Sequence, residues 1–273
     1  MRMNLLPMLV TAALLAPLPA FADAKAHADA AGLAAARRQL AAAVSEGSAP
    51  GLRQARDAFA LLRAGDPASP ELAYWLALAD WRLVPVLPDS ESAAARQLCK
   101  EGIAACDRAI AARPRFADAV ALRAGLQGLA FRFLSPQAGM ALGAEMEEGY
   151  GRAMGLEPDN PRVLLLKGLG TLYKPKEVGG GPQAARPILE RAVAAAAAAP
   201  PAEGDSTSID WGRDDVLVWS GICASRLGDW SAARARFREV LARNPGHAWT
   251  RYVLLPGAEK ELAAKGAPAR DAK

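Results

Sequence analysis

The chain has 273 residues, and its 33 basic and 29 acidic side chains leave a formal net charge of +4. Such a small excess, with both signs mixed along the chain, excludes a protein that relies on a basic surface to bind nucleic acid or an anionic membrane. Beyond its N-terminus the sequence has no segment long and apolar enough to cross a bilayer. We therefore expect no nucleic-acid partner and no membrane span in the processed protein.

The N-terminus has the layout of a secretory signal peptide. Arg2 is followed by an apolar run over residues 5–18 and then by Ala20-Phe21-Ala22, which fits the A-x-A cleavage pattern. The run is shorter than the roughly 20 residues of a membrane span, and prolines interrupt it. We expect residues 1–22 to be removed, which leaves an exported, soluble protein of a bacterial periplasm. The alternative is that this segment is a buried N-terminal helix.

Three cysteines remain after this cleavage. Cys99 and Cys106 lie on one predicted helix, so their Cα atoms are roughly 10 Å apart, beyond the ~7 Å reach of a disulfide. Cys223 would have to find one of them across the fold. We expect three buried thiols that act as small apolar residues. The sequence leaves open whether Cys223 pairs with Cys99 or Cys106.

Residues 214–246 are predicted to form two helices joined by a tight turn. The helices are expected over residues 217–227 and 231–243, with the turn at Gly228-Asp229. The positions that carry a tetratricopeptide-like spacing are Leu217, Ser220, Gly221, Ala224, Ala233, Phe237 and Pro245. They resemble the pattern W-x2-L-G-x2-Y…A-x3-F…P, more closely in the second helix than in the first, where Leu, Ser and Ala replace Trp, Leu and Tyr.

Weaker copies of this unit recur upstream. Pro114, Pro158, Pro200 and Pro245 each follow an Ala-rich amphipathic helix, at spacings of 44, 42 and 45 residues. A period of this size indicates stacked helix pairs that bury one another's apolar faces. It exceeds the ~34 residues of the tetratricopeptide unit and lies within the HEAT and armadillo range. The glycines at close approaches and the Ala-x3-aromatic positions nevertheless favour the tetratricopeptide interpretation.

We therefore predict an all-α, tetratricopeptide-like right-handed superhelix of stacked helical hairpins with long intra-repeat loops. The domain should cover residues 23–263, and residues 264–273 should be a disordered tail. The predicted hairpins lie at about 24–64, 69–114, 116–158, 161–200 and 214–246, followed by a capping helix at 248–263. The extra length falls in loops 84–92, 135–143 and 174–182, which would line one rim, and in the linker 201–213.

The C-terminal third to half of the chain carries a further resemblance. Its residues form two blocks: Lys167, Gly168, Tyr173, Pro175 and Gly179 to Gly181, and then Trp249 with Leu254 to Pro256. On these residues the chain resembles an exported bacterial tetratricopeptide-repeat (TPR) family of unassigned function. The resemblance implies a fold and a compartment, but no activity.

No arrangement of residues indicates catalysis, a metal ion or a cofactor. His27 and His247 lie near opposite ends of the chain, without the partner spacing of a zinc site. The hydroxyl residues of the linker, Ser206, Thr207 and Ser208, have no basic side chain as a partner. The carboxylates Glu145, Glu147 and Glu148 resemble the solvated face of a helix. We predict no enzyme and no cofactor.

Gly179, Gly180 and Gly181 precede a predicted helix that begins at Pro182. Free backbone N–H groups at a helix N-terminus can hold an anion. No Lys-Ser or Lys-Thr follows and no strand is predicted before the glycines, so the stretch is not a P-loop. It is either a turn that lets two helices approach or a site for a phosphate or carboxylate.

The first helices of tetratricopeptide units line a concave groove, and the resemblance implies which side chains face it: Arg162, Leu165, Leu169, Tyr173, Val218, Ile222 and Arg226. An apolar floor with arginine edges suits an extended peptide or a partner helix, and Arg162 and Arg226 could bind a carboxylate in a bidentate manner. We expect a periplasmic protein–protein interaction scaffold that binds a peptide or protein in this groove or on its loop rim. The alternative is a ligand-handling accessory subunit of a transport system, which requires an apolar tunnel. The partner and the oligomeric state stay open.

Overall fold

The computed structural model describes residues 19–199 and 209–266. These ranges contain eleven α-helices and no β-strand: α1 Pro19–Glu46, α2 Ala49–Gly65, α3 Pro70–Leu83, α4 Ser92–Ala112, α5 Ala117–Ala130, α6 Pro136–Leu156, α7 Pro161–Tyr173, α8 Pro182–Ala198, α9 Arg213–Arg226, α10 Trp230–Arg243 and α11 Leu255–Gly266. A short π-helix, Thr250–Leu254, leads into α11. Most of the predicted signal peptide, much of the linker 201–213 and residues 267–273 of the predicted tail lie outside the described residues.

Several helices begin where the sequence offers a polar side chain followed by proline. The side chains of Ser69 and Asn160 accept N–H groups from the first turns of α3 and α7. Pro70 and Pro161 then occupy the first helical position, where a missing N–H costs nothing. Helices α2 and α6 begin in a similar way.

Helices end where the repeat period predicts. Pro114, Pro158 and Pro245 each stand two residues beyond the last residue of α4, α6 and α10, because proline cannot continue a helix. Pro200 lies outside the described residues. Gly228, with φ of 74°, forms the predicted tight turn between α9 and α10.

The helices pair in chain order as α1–α2, α3–α4, α5–α6, α7–α8 and α9–α10. The first helices α3, α5, α7 and α9 contact one another in sequence, and each second helix also contacts the first helix of the next pair. The π-helix and α11 pack on α10. The chain is thus an all-α right-handed superhelix of stacked hairpins, as predicted.

First helices are buried on most sides, whereas second helices bury a single stripe. Every residue of α3 from Ala73 to Leu83 except Arg82 is buried. In α4 the buried residues recur every three or four positions, at Ala95, Leu98, Cys99, Gly102, Ala105, Cys106 and Ala109. The difference arises because a first helix lies between its own partner and the helices of the neighbouring pairs.

Two glycines let the helices of a pair approach closely. A Cβ on Gly221 of α9 would stand 2.5 Å from Cε1 of Phe237, and a Cβ on Gly168 of α7 would stand 2.5 Å from Cδ2 of Leu189. Two carbon atoms cannot approach so closely in a packed interior, so only glycine fits both positions. The sequence predicts glycines where the two helices of a repeat approach closely, and Gly168 and Gly221 are two such positions in the structure.

The three cysteines are free and buried. Burial raises the pKa of Cys99 to about 11, and it also raises the pKa of Cys106 and of Cys223. The Cys223 thiol donates a hydrogen bond to the carbonyl oxygen of Pro182 at 3.3 Å. The prediction of three buried thiols is confirmed, and Cys223 pairs with neither of the other two.

The connections within the second, third and fourth hairpins run over residues 84–91, 131–135 and 174–181; they contain short 3-10 turns and expose apolar side chains. The turns are Val84–Val86, Asp89–Glu91, Phe131–Phe133 and Lys176–Val178. The exposed side chains on them include Val86, Leu134 and Val178. The loop predicted at 135–143 is wrong, because Ser135 caps α6 and residues 136–143 form its first turns. Among the helices of the described ranges, none combines the length and the hydropathy that a membrane span requires.

Candidate functional site

Residues 209–212 cross the concave face of the superhelix. The indole Nε1–H of Trp211 donates to the hydroxyl oxygen of Tyr74 on α3 at 2.6 Å, and the Trp211 ring lies 6.0 Å from the ring of Trp81. Tyr74 is fully buried and Trp211 is half-buried. The part of the groove that faces α3 is therefore occupied by the chain itself.

Arg82 of α3 is bound to Asp215 of α9 across the same face. Its Nη1 and Nη2 donate to Oδ1 and Oδ2 of Asp215 at 2.6 and 2.7 Å. Its guanidinium also lies 4.8 Å from the ring centre of Trp81 and 4.9 Å from that of Trp211. Because the two charged side chains are only 12% and 17% exposed, the bidentate pair is largely shielded from water. Tyr74, Trp81, Arg82, Trp211 and Asp215 are together called the clasp below.

Helix α1 also contacts the segment before α9 and the end of α10. Arg37 of α1 pairs with Asp210 at 2.7 Å, and Oγ of Ser45 donates to Oδ1 of Asn244 at 3.2 Å. Beside these contacts lies a cleft of about 690 Å³, between α1, α3 and residues 210–215. Its walls also include Arg38, Arg243 and His247. Charged groups therefore line this cleft together with apolar side chains such as Leu40 and Trp75.

Arg162, predicted to bind a ligand carboxylate, is already paired within the fold. Its Nε and Nη2 donate to Oδ1 and Oδ2 of Asp118 on α5 at 2.5 and 3.3 Å, and Asn160 donates to the same carboxylate at 3.0 Å. Burial opposes the charge of Arg162, but the Asp118 carboxylate outweighs it and holds the pKa of Arg162 above its ordinary value. The role predicted for Arg162 is therefore wrong, because its guanidinium joins α5 to α7.

Leu165 and Val218 are 0% and 3% exposed, so the expectation that they face the groove is wrong. They lie on first helices that neighbouring pairs cover on both sides, and they belong to the core there. Leu169 is half-buried and packs against the core on either side of α7. Most of the apolar residues predicted to line the groove are therefore buried in the core.

The open part of the concave face carries a row of aromatic rings. The rings of Tyr173 and Trp219 lie 6.1 Å apart at 75°, and those of Trp219 and Trp249 lie 5.9 Å apart at 68°. The guanidinium of Arg226 lies 4.4 Å from the centre of the Tyr173 ring. Tyr173 is 60% exposed and Trp249 is 42% exposed. Tyr173, Trp219, Trp249 and Arg226 are called the ladder below.

One face of α9 connects the clasp to the ladder. Asp215, Trp219, Ile222 and Arg226 follow one another at intervals of four, three and four residues, which places them on a single stripe of the helix. Asp215 belongs to the clasp, whereas Trp219 and Arg226 belong to the ladder. Ile222 is half-buried between them. Among the predicted groove residues, Tyr173, Ile222 and Arg226 are therefore brought together on the concave face.

The three successive glycines form a structural turn. The N–H groups of Gly179, Gly180 and Gly181 all donate within the loop, to the carbonyl oxygens of Lys176, Pro175 and Thr171, at 3.0, 3.0 and 2.9 Å. Gly179 and Gly181 have φ of 83° and 92°, which favours glycine. None of the three N–H groups is free to bind an anion, so the structure supports the turn and contradicts the anion site.

The carboxylates near residue 147 do not all lie on a solvated face. Glu145 and Glu148 are exposed, but Glu147 accepts hydrogen bonds from Nζ of Lys167 at 2.6 Å and of Lys174 at 3.2 Å. Burial raises the pKa of Glu147, but the two lysines more than offset this and hold it below its ordinary value. The expectation of a solvated run is therefore wrong for Glu147, which joins α6 to α7.

The polar residues considered for chemistry do not converge in the part of the chain that the structure describes. Nδ1 of His247 accepts the N–H of Thr250 at 3.3 Å. Residues 206–208 lie outside the described residues. No group of three or more His, Cys, Asp and Glu side chains within the described ranges has the arrangement of a metal site.

Sequence reasoning missed the clasp and the Asp118–Arg162 pair. The pair had a usable signal, because its members are 44 residues apart, which is one repeat period. Trp211 had a weaker signal, since it is a large aromatic residue at the end of a polar linker. Nothing in the local sequence, however, indicates that Trp211 contacts α3.

Comparisons with known proteins reveal the fold alone. No family model matches the chain, and no curated protein matches it. Among solved structures, TTC0263, a thermophilic TPR protein of Thermus thermophilus, superposes with a TM-score of 0.56 at 16% identity, over 84% of this chain and 99% of that one. The chain has a tetratricopeptide-like fold. The HusA haemophore of Porphyromonas gingivalis is also similar, with a TM-score of 0.55 at 21% identity, over 73% of this chain and 92% of that one.

Proposed function

We propose that the chain is an exported interaction scaffold that binds an extended peptide segment of a protein partner on its ladder. The role is binding without catalysis. The observation that carries the proposal is the row of rings in which the exposed Tyr173 and Trp249 stand on either side of the partly buried Trp219, with Arg226 beside it. The tetratricopeptide-like fold supports it, because such repeats present extended concave surfaces to partners.

The chemistry of the ladder favours a peptide with apolar or proline side chains and a nearby carboxylate. Aromatic rings placed edge to face leave shallow grooves between them, which suit the flat faces of prolines and aliphatic side chains. Arg226 lies on the exposed end of α9 and has Tyr173 as its stacking partner, so its remaining N–H donors can bind an acidic group. Arg162 is excluded from this role by its pair with Asp118.

The test uses a phage-displayed library of 12-residue peptides panned on the immobilised protein. Enriched peptides are then synthesised and titrated against the wild type, Trp219→Ala, Trp249→Ala and the control Leu61→Ala, whose side chain is 76% exposed on α2. We expect the two ladder variants to weaken binding at least tenfold and Leu61→Ala to leave it unchanged. If the enriched peptides bind both tryptophan variants as tightly as the wild type, the ladder is not the binding surface.

Export to a bacterial periplasm is part of the proposal and rests on the signal-like N-terminus. Cleavage after Ala22 would leave Asp23 as the first residue. The check is to express the full chain in a Gram-negative host, separate the periplasmic fraction and determine the N-terminal residue of the recovered protein. Recovery of the unprocessed chain from the cytoplasm alone would reject export.

The alternative role in a transport system requires an apolar tunnel. The cleft between α1 and residues 210–215 has a mixed lining instead, in which charged side chains such as Arg37, Arg38 and Asp214 stand among apolar ones such as Leu40 and Val44. The residues that the structure describes there give this alternative no support, and we do not propose it.

A further inference from the structure

We infer that the face of α1 and α3 is a second binding site, which takes a peptide carrying an acidic residue followed by tryptophan. Residues 209–212 of the chain occupy this site as an internal ligand. The inference goes beyond the proposed function, because it concerns the part of the concave face away from the ladder. It also names the chemistry of a partner that would replace the internal segment.

The receiving side of the site consists of four side chains on two helices: Arg37 of α1, and Tyr74, Trp81 and Arg82 of α3. Tyr74 is 0% exposed, and the hydrogen bond that its hydroxyl oxygen accepts comes from the indole of Trp211. Trp81 and Arg82 present a ring tilted by 42° and a guanidinium to the same indole. An acceptor, an aromatic wall and a stacked cation are together selective for a flat ring with an N–H donor.

Residues 209–212 supply a partner for each of these receiving side chains. Trp211 supplies the ring and the N–H, and Asp210 supplies a carboxylate to Arg37 at 2.7 Å. Gly212 follows with φ of 104° and is buried against the Arg162 side chain, so the backbone turns away directly after the tryptophan. The recognised element is therefore short, consisting of an acidic residue, tryptophan and glycine.

The internal segment differs from an ordinary core element. It lies outside any helix, the side chain of Asp210 is 42% exposed, and Trp211 is only half-buried. The chain between the last residue of α8 and the first of α9 is 14 residues long, from 199 to 212. On its other side the segment runs directly into α9, because Gly212 is the N-cap of α9 and its carbonyl oxygen accepts the N–H of Val216 at 3.0 Å.

Tethering explains why the free site would be hard to detect in the wild type. A segment joined by a short linker competes at an effective concentration in the mM range. A peptide added at μM concentration therefore binds the wild type weakly, and it binds more tightly when the contacts of the internal segment are weakened or removed. A natural partner gains access by offering the same groups together with further contacts.

The experiment adds a fluorescein-labelled peptide of residues 207–213 (TSIDWGR) to the full-length protein and measures fluorescence anisotropy. We expect the peptide to bind Trp211→Ala at least tenfold more tightly than the wild type. The same peptide with alanine in place of tryptophan should not bind. The double variant Tyr74→Phe/Trp211→Ala should bind the peptide at least threefold more weakly than Trp211→Ala, because the indole acceptor is lost. Failure of folded Trp211→Ala to bind, or equal binding to the wild type, would overturn the inference.

A second variant covers the case in which Trp211→Ala does not fold. Asp210→Ala keeps the tryptophan and removes only the pair with Arg37, and it should raise the affinity for the peptide severalfold over the wild type. Circular dichroism establishes that each variant is helical before titration. Trp249→Ala, combined with Trp211→Ala, should leave the affinity for this peptide unchanged. A loss of affinity caused by Trp249→Ala would show that the peptide binds on the ladder and not at a separate site. The two proposals can therefore fail independently of each other.

Discussion

Arg82 and Asp215 are 133 residues apart in the sequence, yet they share two parallel hydrogen bonds across the concave face. The pair joins the second helix hairpin to the fifth and lies against the rings of Trp81 and Trp211. It is therefore both an electrostatic and a packing contact, and its loss affects both ends of the superhelix.

We predict that Arg82→Ala lowers the free energy of unfolding by about 2–3 kcal/mol, because Asp215 is left with its charge unpaired in a largely shielded position. Urea unfolding followed by circular dichroism measures the change. The matched control is Arg238→Ala, which removes a pair with Glu259 whose members are 59% and 44% exposed. The control should change stability by no more than about 0.5 kcal/mol. Equal losses in the two variants would show that the shielding of Arg82 has no energetic effect.

Gly221→Ala should destabilise the protein although alanine is the better helix former. The added Cβ would stand 2.5 Å from Phe237, which is 1% exposed and has no room to move. We expect a loss of about 1–3 kcal/mol. The same substitution at Gly151 of α6, where a Cβ meets nothing within 4 Å, should stabilise by about 0.5–1 kcal/mol. Thermal unfolding of both variants checks the opposite signs, and a shared sign would contradict the close approach of α9 and α10.

The stability of the folded protein depends on pH through the buried carboxyl group of Asp80. Its side chain is 0% exposed; Oδ1 accepts from Nε of Arg56 at 2.6 Å, while Oδ2 has no hydrogen-bond partner among the described residues. Burial raises the pKa of Asp80 from 3.8 to about 7, although the Arg56 charge opposes the rise. Between these values the folded protein holds a proton that the unfolded chain releases, so this group lowers stability as the pH rises through that window.

Asp80→Asn removes this titration, because the amide resembles the protonated acid and cannot ionise. The stability of the variant relative to the wild type should therefore increase from pH 4 to pH 7, by on the order of 1 kcal/mol per pH unit. Urea unfolding of both proteins at four pH values across the window measures the difference. A difference that stays constant, or that falls with rising pH, would show that Arg56 keeps Asp80 ionised throughout.

The three cysteines should react with a thiol reagent only when the protein unfolds. Each is buried and free, and burial holds each pKa above that of an exposed thiol, so the reactive thiolate is scarce and shielded. Titration with Ellman's reagent at pH 8 should count fewer than one thiol per chain in the native protein and three in guanidinium chloride. Rapid reaction of one thiol in the native state would place that cysteine at the surface.

The helix pairs were predictable because their signals are local. Gly228 ends a helix through its own φ, Pro114 and Pro158 stand where helices stop, and Gly221 faces a ring 16 residues away in the same hairpin. Each of these effects acts within one repeat, and the repeat recurs along the chain. A periodic sequence therefore carries the information for a stacked helical fold.

The concave face was less predictable because its contacts join distant repeats. The position of Trp211 depends on Tyr74, which precedes it by 137 residues, and no periodicity connects the two. Leu165 and Val218 were placed on the groove because they lie on first helices, but packing of the neighbouring pairs buries them. Tyr173 and Arg226 stay exposed since both lie at a helix end, where the neighbours no longer cover them.

The hydrogen bond between Ser45 and Asn244 brings the two ends of the stack together. An open array of repeats unfolds from its ends and tolerates truncation, because each unit depends only on its neighbours. Here the terminal units are also linked to each other by this hydrogen bond and by the ion pair of Arg37 with Asp210, so deleting either unit removes contacts from the other. The protein should therefore resist fraying, melt as a single cooperative unit, and fold more slowly than an open array of equal length, since its two ends must meet late in the process.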